Sequence, residues 1–256
     1  MMSNHAKSKI VKPIKVHGGK EYLAKTIVNL MPPRCKNPNK PSNRDKGWLH
    51  YVEPYFGGGS VMLALNPEGI SEVANDRNRN LMWFWETMSS PGLFAAFQRQ
   101  VEGTPFSQQV YRACKARLAH SAGLTNRAYD FFVVARQSLA GRLSDFAPLS
   151  RNRTRRGMNE QASAWWNAVD GLAAVYQRMR RVVVFGEDAL SVIRREDGPR
   201  TLFYLDPPYL HETRATTNEY GDDEMSKEAH VSLLTTLANI RGRFLLSGYR
   251  NNLYKM

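Results

Sequence analysis

The sequence predicts an α/β protein whose strands alternate with helices and carry their reactive residues at their carboxyl ends, with a helical insertion in the middle. Three stretches predict it. LFYLDPPYL, residues 202–210, is an apolar strand stopped by two prolines that have no N–H to give a ladder. WLHYVEPYFGGGSVMLALNP, residues 48–67, reads as strand, glycine loop and helix. Residues 89–180 switch to helical spacing with many arginines.

After a basic N-terminal arm, Leu23, Ile27 and Leu30 fall at helical spacing and Pro32-Pro33 stops the run, so a helix follows the Gly18-Gly19-Lys20 turn. That turn is either solvated or an anion site, with Lys20 as the point charge. Residues 34–46 are rich in Pro, Asn, Lys and Arg and read as a surface loop. Trp48 to Val52 then gives a strand, Glu53 to Gly59 a tight loop and Ser60 to Leu65 a short helix. No Gly-Lys-Ser/Thr follows, and Met62 takes the place of the last glycine of a G-x-G-x-x-G pattern, which disfavours a phosphate ligand. Gly57, Gly58 and Gly59 instead suit a ligand that lies flat on backbone. The next strand ends at Asn75-Asp76, about 20 residues beyond Gly57, where an acidic residue takes ribose hydroxyls; a helix N-cap is the compatible alternative.

In the insertion, Phe94, Phe97 and Val101 mark one helix, and Tyr129 to Ser138 another that ends at Gly141-Arg142. RNRTRRG, from Arg151 to Gly157, is too polar to pack and shows no regular period. It is a solvated charge run or a flexible DNA-contacting loop. Arg181 to Phe185 returns to strand, and Asp188 stands just past its end. If the strands are parallel, Asp76, Asp188 and Asp206 share one edge and one site.

Asp206-Pro207-Pro208-Tyr209 follows the strand at Leu202. Pro208 holds Pro207 extended, so the Pro207 carbonyl and the Asp206 carboxylate give two acceptors beside an aromatic face. An exocyclic amine on a nucleobase has its lone pair delocalised into the ring, and accepting both its hydrogens would localise that pair. The competing reading is an acidic turn stiffened by Pro-Pro. Residues 211–225 are polar and long enough for a lid. Ser226 is the expected N-cap of a helix with Val231, Leu234 and Leu237 facing inward, Gly242 its stop, and Phe244 to Ser247 a last strand before Gly248-Tyr249.

Composition narrows the function. The chain has 256 residues and is 42% hydrophobic, enough for one domain with an insertion or for two small domains. Lys and Arg number 36 against 23 acidic residues, a formal charge of +13 that favours a polyanionic partner such as nucleic acid. Cys35 and Cys114 alone give neither a disulfide framework nor a thiolate metal site, which suits a reducing compartment. The opening residues have no signal-peptide core, and no stretch has the length of a membrane span.

Taken together, GGK at Gly18 to Lys20, EPYFGGGS at Glu53 to Ser60, Asp76, FGEDA with Asp188, DPPY at Asp206 to Tyr209 and FLLSGY near the end resemble, in order and over nearly the whole chain, the Dam-type DNA adenine methyltransferases. The resemblance implies a Rossmann-like methyltransferase fold: a mostly parallel sheet flanked by helices, with a helical target-recognition domain inserted between the second and third sheet strands. It divides the chain into 1–88 and 181–256 for catalysis and 89–180 for target recognition. It implies S-adenosyl-L-methionine as cofactor, held by Val16, Lys20, Glu53, Pro54, Phe56, Gly57, Gly59, Asp76, Asp188 and Asp206, with Asp76 on the ribose and Asp188 on the adenine amine. Asp206, Pro207, Pro208 and Tyr209 would hold the target adenine. ARQSLAGR, from Ala135 to Arg142, is similar to the family's DNA-contacting segment, with Gly141 and Arg142 retained.

Two departures from the family pattern stand out. Val16 and His17 occupy the place of an aromatic residue ahead of GGK, and FLLSGY lies close to Met256 where the family continues with closing strands. The expected activity is methyl transfer to the exocyclic amine of adenine in double-stranded DNA, without a metal, in the cytoplasm of a bacterial or phage-infected cell. Arg151, Arg153, Arg155 and Arg156 would follow phosphates, and Arg142 would read a base edge. The alternatives are an amine methyltransferase on cytosine, RNA or a glutamine side chain, and a catalytically degenerate DNA-binding protein on the same scaffold.

Overall fold

The computed structural model of the protein describes residues 10–15, 19–36, 47–209, 225–249, 251 and 253–255. In chain order the elements are α1 (Ala24–Leu30), β1 (His50–Glu53), α2 (Ser60–Ala64), β2 (Ser71–Asn75), α3 (Arg79–Ser89), α4 (Pro91–Glu102), α5 (Gln108–Arg117), α6 (Leu124–Gln137), β3 (Thr154–Arg155), β4 (Met158–Asn159), α7 (Glu160–Met179), β5 (Val183–Phe185), α8 (Ala189–Glu196), β6 (Thr201–Leu205), α9 (Lys227–Ala238) and β7 (Arg243–Leu246). They fall into two compact units whose segments interleave along the chain. One comprises Leu30–Phe56, Pro67–Met82 and Val182–Met256; the other comprises Met1–Asn29, Gly57–Asn66 and Trp83–Arg181.

The first unit is built on a five-stranded sheet in the order β5-β2-β1-β6-β7. Every pairing is parallel, as expected for strands separated by helices. The register sets Val52 beside Val73 and Phe203, and Leu205 beside Leu246. Every residue of β6 is buried, so its continuous apolar run is that of a strand covered on both faces. Val192 and Ile193 of α8 and Leu233 and Leu237 of α9 complete the core around Val52, Val73, Phe203 and Leu205.

The α9 face departs from expectation. Leu237 is buried, but its inward companions are His230 and Leu233, and Val231 is 43% exposed. Ser226 is the N-cap, accepting from Ala229 N–H at 3.2 Å. The helix ends at Ala238 with Asn239 as its C-cap, so Gly242 does not stop it. Gly242 is instead a site of close approach: its N–H donates to Asp197, and an added Cβ would lie 2.8 Å from the Thr201 carbonyl oxygen.

The second unit is mostly helical. Phe84 and Phe132 stack at 5.8 Å, Phe97 meets Phe132 edge-on at 5.5 Å, and Trp165 closes the cluster while donating its indole N–H to the Thr104 carbonyl. Phe94, Phe97 and Val101 are all buried on α4, as their spacing predicts. The stretch between β2 and β5 therefore contains α3 to α7 and the small β3–β4 sheet. The arginine run is not the irregular loop its polarity suggests. Thr154 pairs with Asn159 and Arg155 with Met158 across a turn in which Arg156 and Gly157 both have positive φ, 53° and 71°. Such a two-residue turn matches the twist of a hairpin. None of the described helices is long and apolar enough to cross a membrane.

Candidate functional site

Because the strands of the sheet unit are parallel, their carboxyl ends lie along one edge. The residues that follow them come in the order Asp188 after β5, Asp76 after β2, Pro54 after β1, Asp206 after β6 and Ser247 after β7. The three aspartates of the sequence reading are thus brought to one edge of the sheet.

Asn75 organises the left half of that edge. It is fully buried at the end of β2. Its side-chain N–H groups donate to the carbonyls of Pro54 at 3.0 Å and Glu187 at 3.1 Å, and its oxygen accepts from Glu187 N–H at 2.9 Å. Its carbonyl accepts from Phe56 N–H at 2.8 Å. One side chain therefore fastens the loops after β1 and β5 to the end of β2. The sequence shows a polar residue closing an apolar strand, but its partners are 21 and 112 residues away and carry no local signal.

Asp76 accepts from Asn78 N–H at 3.0 Å, and Asn78 in turn accepts from Leu81 N–H, so the cap of α3 belongs to Asn78 and not to Asp76. Asp188 caps α8 through Ser191 N–H at 3.0 Å and remains exposed. Tyr55, unremarked in the motif EPYFGGGS, lies near both. Burial raises its phenol well above the ordinary tyrosine value, and the negative charges of Asp188 and Asp76 push it further, with Tyr254 also contributing. Glu53 is 2% exposed and accepts from Tyr51 OH at 2.8 Å. Pro54 and Phe56 are buried.

On the other half of the edge, Tyr209 OH donates to Asp206 Oδ1 at 3.1 Å. The tetrapeptide is thereby folded on itself, with carboxylate and aromatic ring fixed relative to one another. Pro207 is buried, and Asp206, Pro208 and Tyr209 are half-buried. Beneath them, Tyr204 is held by Ser247 at 2.9 Å, and Ser247 N–H donates to the Leu205 carbonyl. The phenol of Tyr204 is raised first by burial and then by the charge of Asp206.

Gly57 and Gly59 have φ of 50° and 67°. A Cβ at Gly57 would meet nothing within 4 Å, so the demand for glycine there is conformational and leaves open backbone. The Gly57 carbonyl accepts from Trp85 at 2.9 Å, and Gly59 precedes α2. Lys20 opens the turn into α1, its carbonyl accepting from Leu23 N–H. Val16, His17 and Gly18 lie outside the described residues, as does the segment 211–224 read as a lid.

The helical unit carries a charge feature that spacing does not reveal. Arg136 is 9% exposed; its guanidinium donates to the Ala164 carbonyl at 2.7 Å, and its Nε has no hydrogen-bond partner among the described residues. Burial lowers its pKa to about 10, against the opposing pull of Glu21. Lys12 is lowered by burial, opposed by Glu21 and reinforced by Arg136 and Lys20. Lys15 is lowered by burial and by Arg136, opposed by Glu160. Lys15 runs tightly over Gly141, where an added Cβ would lie 2.5 Å from its carbonyl oxygen. Of ARQSLAGR, Arg136 and Gln137 are therefore interior residues, and Arg142 is exposed after a short 3-10 turn, Leu139–Gly141. In the hairpin, Arg153 and Arg155 approach Glu160 at 4.0 and 3.5 Å and Arg156 pairs with Asp170 at 3.2 Å, all on the surface.

The sequence matches the family model described as D12 class N6 adenine-specific DNA methyltransferase over residues 17–255. None of the curated proteins compared matches the chain.

Proposed function

The chain belongs to the D12 class N6 adenine-specific DNA methyltransferase family, and from that premise we propose that the sheet edge from Asp188 to Tyr209 is its active site. An enzyme of this class methylates adenine in DNA, so it needs a methyl donor and a DNA substrate. We infer that the donor is S-adenosyl-L-methionine and that the DNA is double-stranded. Asp76 and Asp188 at neighbouring strand ends suit ribose hydroxyls and an adenine amine; the family resemblance adds Gly57 and Gly59, which have positive φ and carry no side chain. Val16, Lys20, Glu53, Pro54, Phe56 and Asp206 complete the proposed set. Of these, Glu53 is buried and accepts from the Tyr51 hydroxyl. When bound, the sulfonium supplies an electrophilic methyl group, so the protein needs no strong base.

The observation that carries this reading is the Tyr209–Asp206 hydrogen bond, which sets a carboxylate and an aromatic face on one turn. Tyr209 stacks on the extruded adenine, Asp206 and the Pro207 carbonyl accept its amine hydrogens, and Pro208 keeps that carbonyl extended. With both hydrogens held, the nitrogen lone pair is localised for attack, and the departing proton passes toward Asp206. Extrusion from the duplex costs a few kcal/mol, which stacking and backbone contacts offset. Arg151, Arg153, Arg155 and Arg156, exposed on and just before the hairpin, support a phosphate-contacting role for residues 89–180, and the half-buried Lys12 and Lys15 one for their own segment; Arg142 reads a base edge. The test is transfer of labelled methyl groups from S-adenosylmethionine to duplex DNA by the purified protein. The label should appear on adenine and vanish in Asp206→Ala while DNA binding persists; full incorporation by that variant would remove Asp206 from the mechanism.

A further inference from the structure

Tyr209 does not stand alone at the end of β6. The ring of Tyr249, which follows β7, packs against it edge-to-face, with centroids 5.0 Å apart and planes at 73°. Tyr249 is 57% exposed, so its ring is open to solvent beside that of Tyr209.

What holds Tyr249 can be followed residue by residue into the core. Its carbonyl accepts from Asn251 Nδ2 at 3.0 Å, and Asn251 Oδ1 accepts from Tyr254 N–H at 3.0 Å. The Tyr254 hydroxyl lies 2.8 Å from Nδ1 of His230, which is fully buried on α9 beside Leu233. The Tyr254 ring also lies flush on Gly248, where an added Cβ would come within 2.4 Å of it. Gly248 is therefore a glycine because Tyr254 needs its space. On the other side, Ser247 is bonded to Leu205 and Tyr204 of β6. Ser247 is thus fastened to β6 and Tyr249, through Asn251 and Tyr254, to α9, and the Tyr249 ring touches the ring of Tyr209.

We propose that Tyr249 is a positioning residue that fixes the Tyr209 ring for stacking on the target base, and that the chain Asn251–Tyr254–His230 holds Tyr249 in place. The physical reason is orientational. Stacking with the amine aimed at Asp206 needs one ring plane, and a half-buried tyrosine with two rotatable side-chain bonds gains that plane from a neighbour that it meets edge-to-face. The inference rests on the reading that Asp206 to Tyr209 holds the adenine.

A double-mutant cycle separates it from that reading. The full-length protein and the variants Tyr209→Ala, Tyr249→Ala, Tyr249→Phe and the Tyr209/Tyr249 double alanine are assayed for kcat on genomic DNA from a methylation-free host, with S-adenosylmethionine affinity measured on each as the check of folding. Tyr249→Ala should lower kcat roughly three- to tenfold, the size of an edge-to-face aromatic contact, with cofactor KM unchanged. Tyr249→Phe should restore the rate, and in the Tyr209→Ala background the loss should disappear. Asn251→Ala and Tyr254→Phe should give smaller losses that also disappear once Tyr249 is alanine. A Tyr249→Ala loss of equal size with and without Tyr209 would overturn the inference and make Tyr249 an independent DNA contact, as would a wild-type rate in Tyr249→Ala. Should that variant fail to fold, Tyr249→Leu replaces it in the cycle. A wild-type rate in Tyr209→Ala alone would instead sink the base-site reading, and with it this inference.

Discussion

Asn75 and Glu187 exchange two hydrogen bonds, at 3.1 and 2.9 Å, across 112 residues of chain, and through them the loop carrying Asp188 is fixed to the strand that ends beside Asp76. The carboxylates assigned to the ribose and to the cofactor's adenine amine owe their spacing to a residue that touches neither ligand nor DNA in the proposed mechanism.

Asn75→Asp tests that arrangement. A carboxylate at this fully buried position cannot donate to the Pro54 and Glu187 carbonyls, and each backbone group left unsatisfied costs about 1–3 kcal/mol. The variant should unfold at markedly lower temperature and bind S-adenosylmethionine at least tenfold more weakly, by calorimetry. Wild-type melting with wild-type affinity would show that the loop is positioned by other contacts.

Stacking alone would make Tyr209→Phe nearly silent. The hydroxyl, however, donates to Asp206, so its removal changes the solvation of the carboxylate that receives the amine. Tyr209→Phe is expected to lose on the order of tenfold in kcat, and Tyr209→Ala on the order of a hundredfold, since it loses the ring as well. Equal rates for phenylalanine and tyrosine in single-turnover assays would confine Tyr209 to stacking.

Lys12 carries a prediction about stability and its pH sign. Burial lowers its pKa, so the folded state disfavours the charge relative to the unfolded chain, and the penalty is fully present at neutral pH. It fades as pH rises through the lowered folded value toward the ordinary lysine value of about 10.4. Lys12→Met should therefore be more stable than wild type in urea at pH 7, and the difference should shrink by pH 10. The same variant should bind DNA more weakly, with a salt slope smaller by about 1 if Lys12 meets one phosphate. A destabilised Lys12→Met with unchanged DNA affinity would make this lysine a structural residue.

The hairpin arginines are predicted to supply affinity and not sequence choice. Replacing Arg151, Arg153, Arg155 and Arg156 by alanine should lower the slope of log affinity against log salt by about 1 for each phosphate no longer neutralised, with the methylated sequence unchanged. Arg142→Ala should cost roughly 1–3 kcal/mol at one position of the site. Binding across salt and methylation of a randomised DNA library read both; a relaxed sequence in the hairpin variant with its salt slope intact would reverse the two roles.

Much of the fold is legible in the sequence because its signals are local. The two prolines that stop β6, the glycines ahead of α2 and the apolar triad of α4 each act within a few residues, and the order of motifs is enough to expect a largely parallel sheet; all five of its strands are parallel. Hydropathy misplaces the α9 face because a histidine, whose ring is bonded to Tyr254 from beyond β7, takes the inward position that Val231 would be expected to fill. The arginine run reads as irregular because two residues per strand show no period and Arg156 accepts a positive φ that spacing does not announce. Asn75, Tyr55 and Asn251 escape a reading of the sequence for a common reason. Their work is to bond backbone or to face charges brought together by the fold, and a sequence displays neither.

The most direct test of this mechanism is modified-base sequencing of genomic DNA from a methylation-free host that expresses either this chain or its Asp206→Ala variant. The predicted result is N6-methyladenine within a defined sequence context for the wild type and none for the variant. Methylation of cytosine, or equal adenine methylation by both proteins, would contradict it.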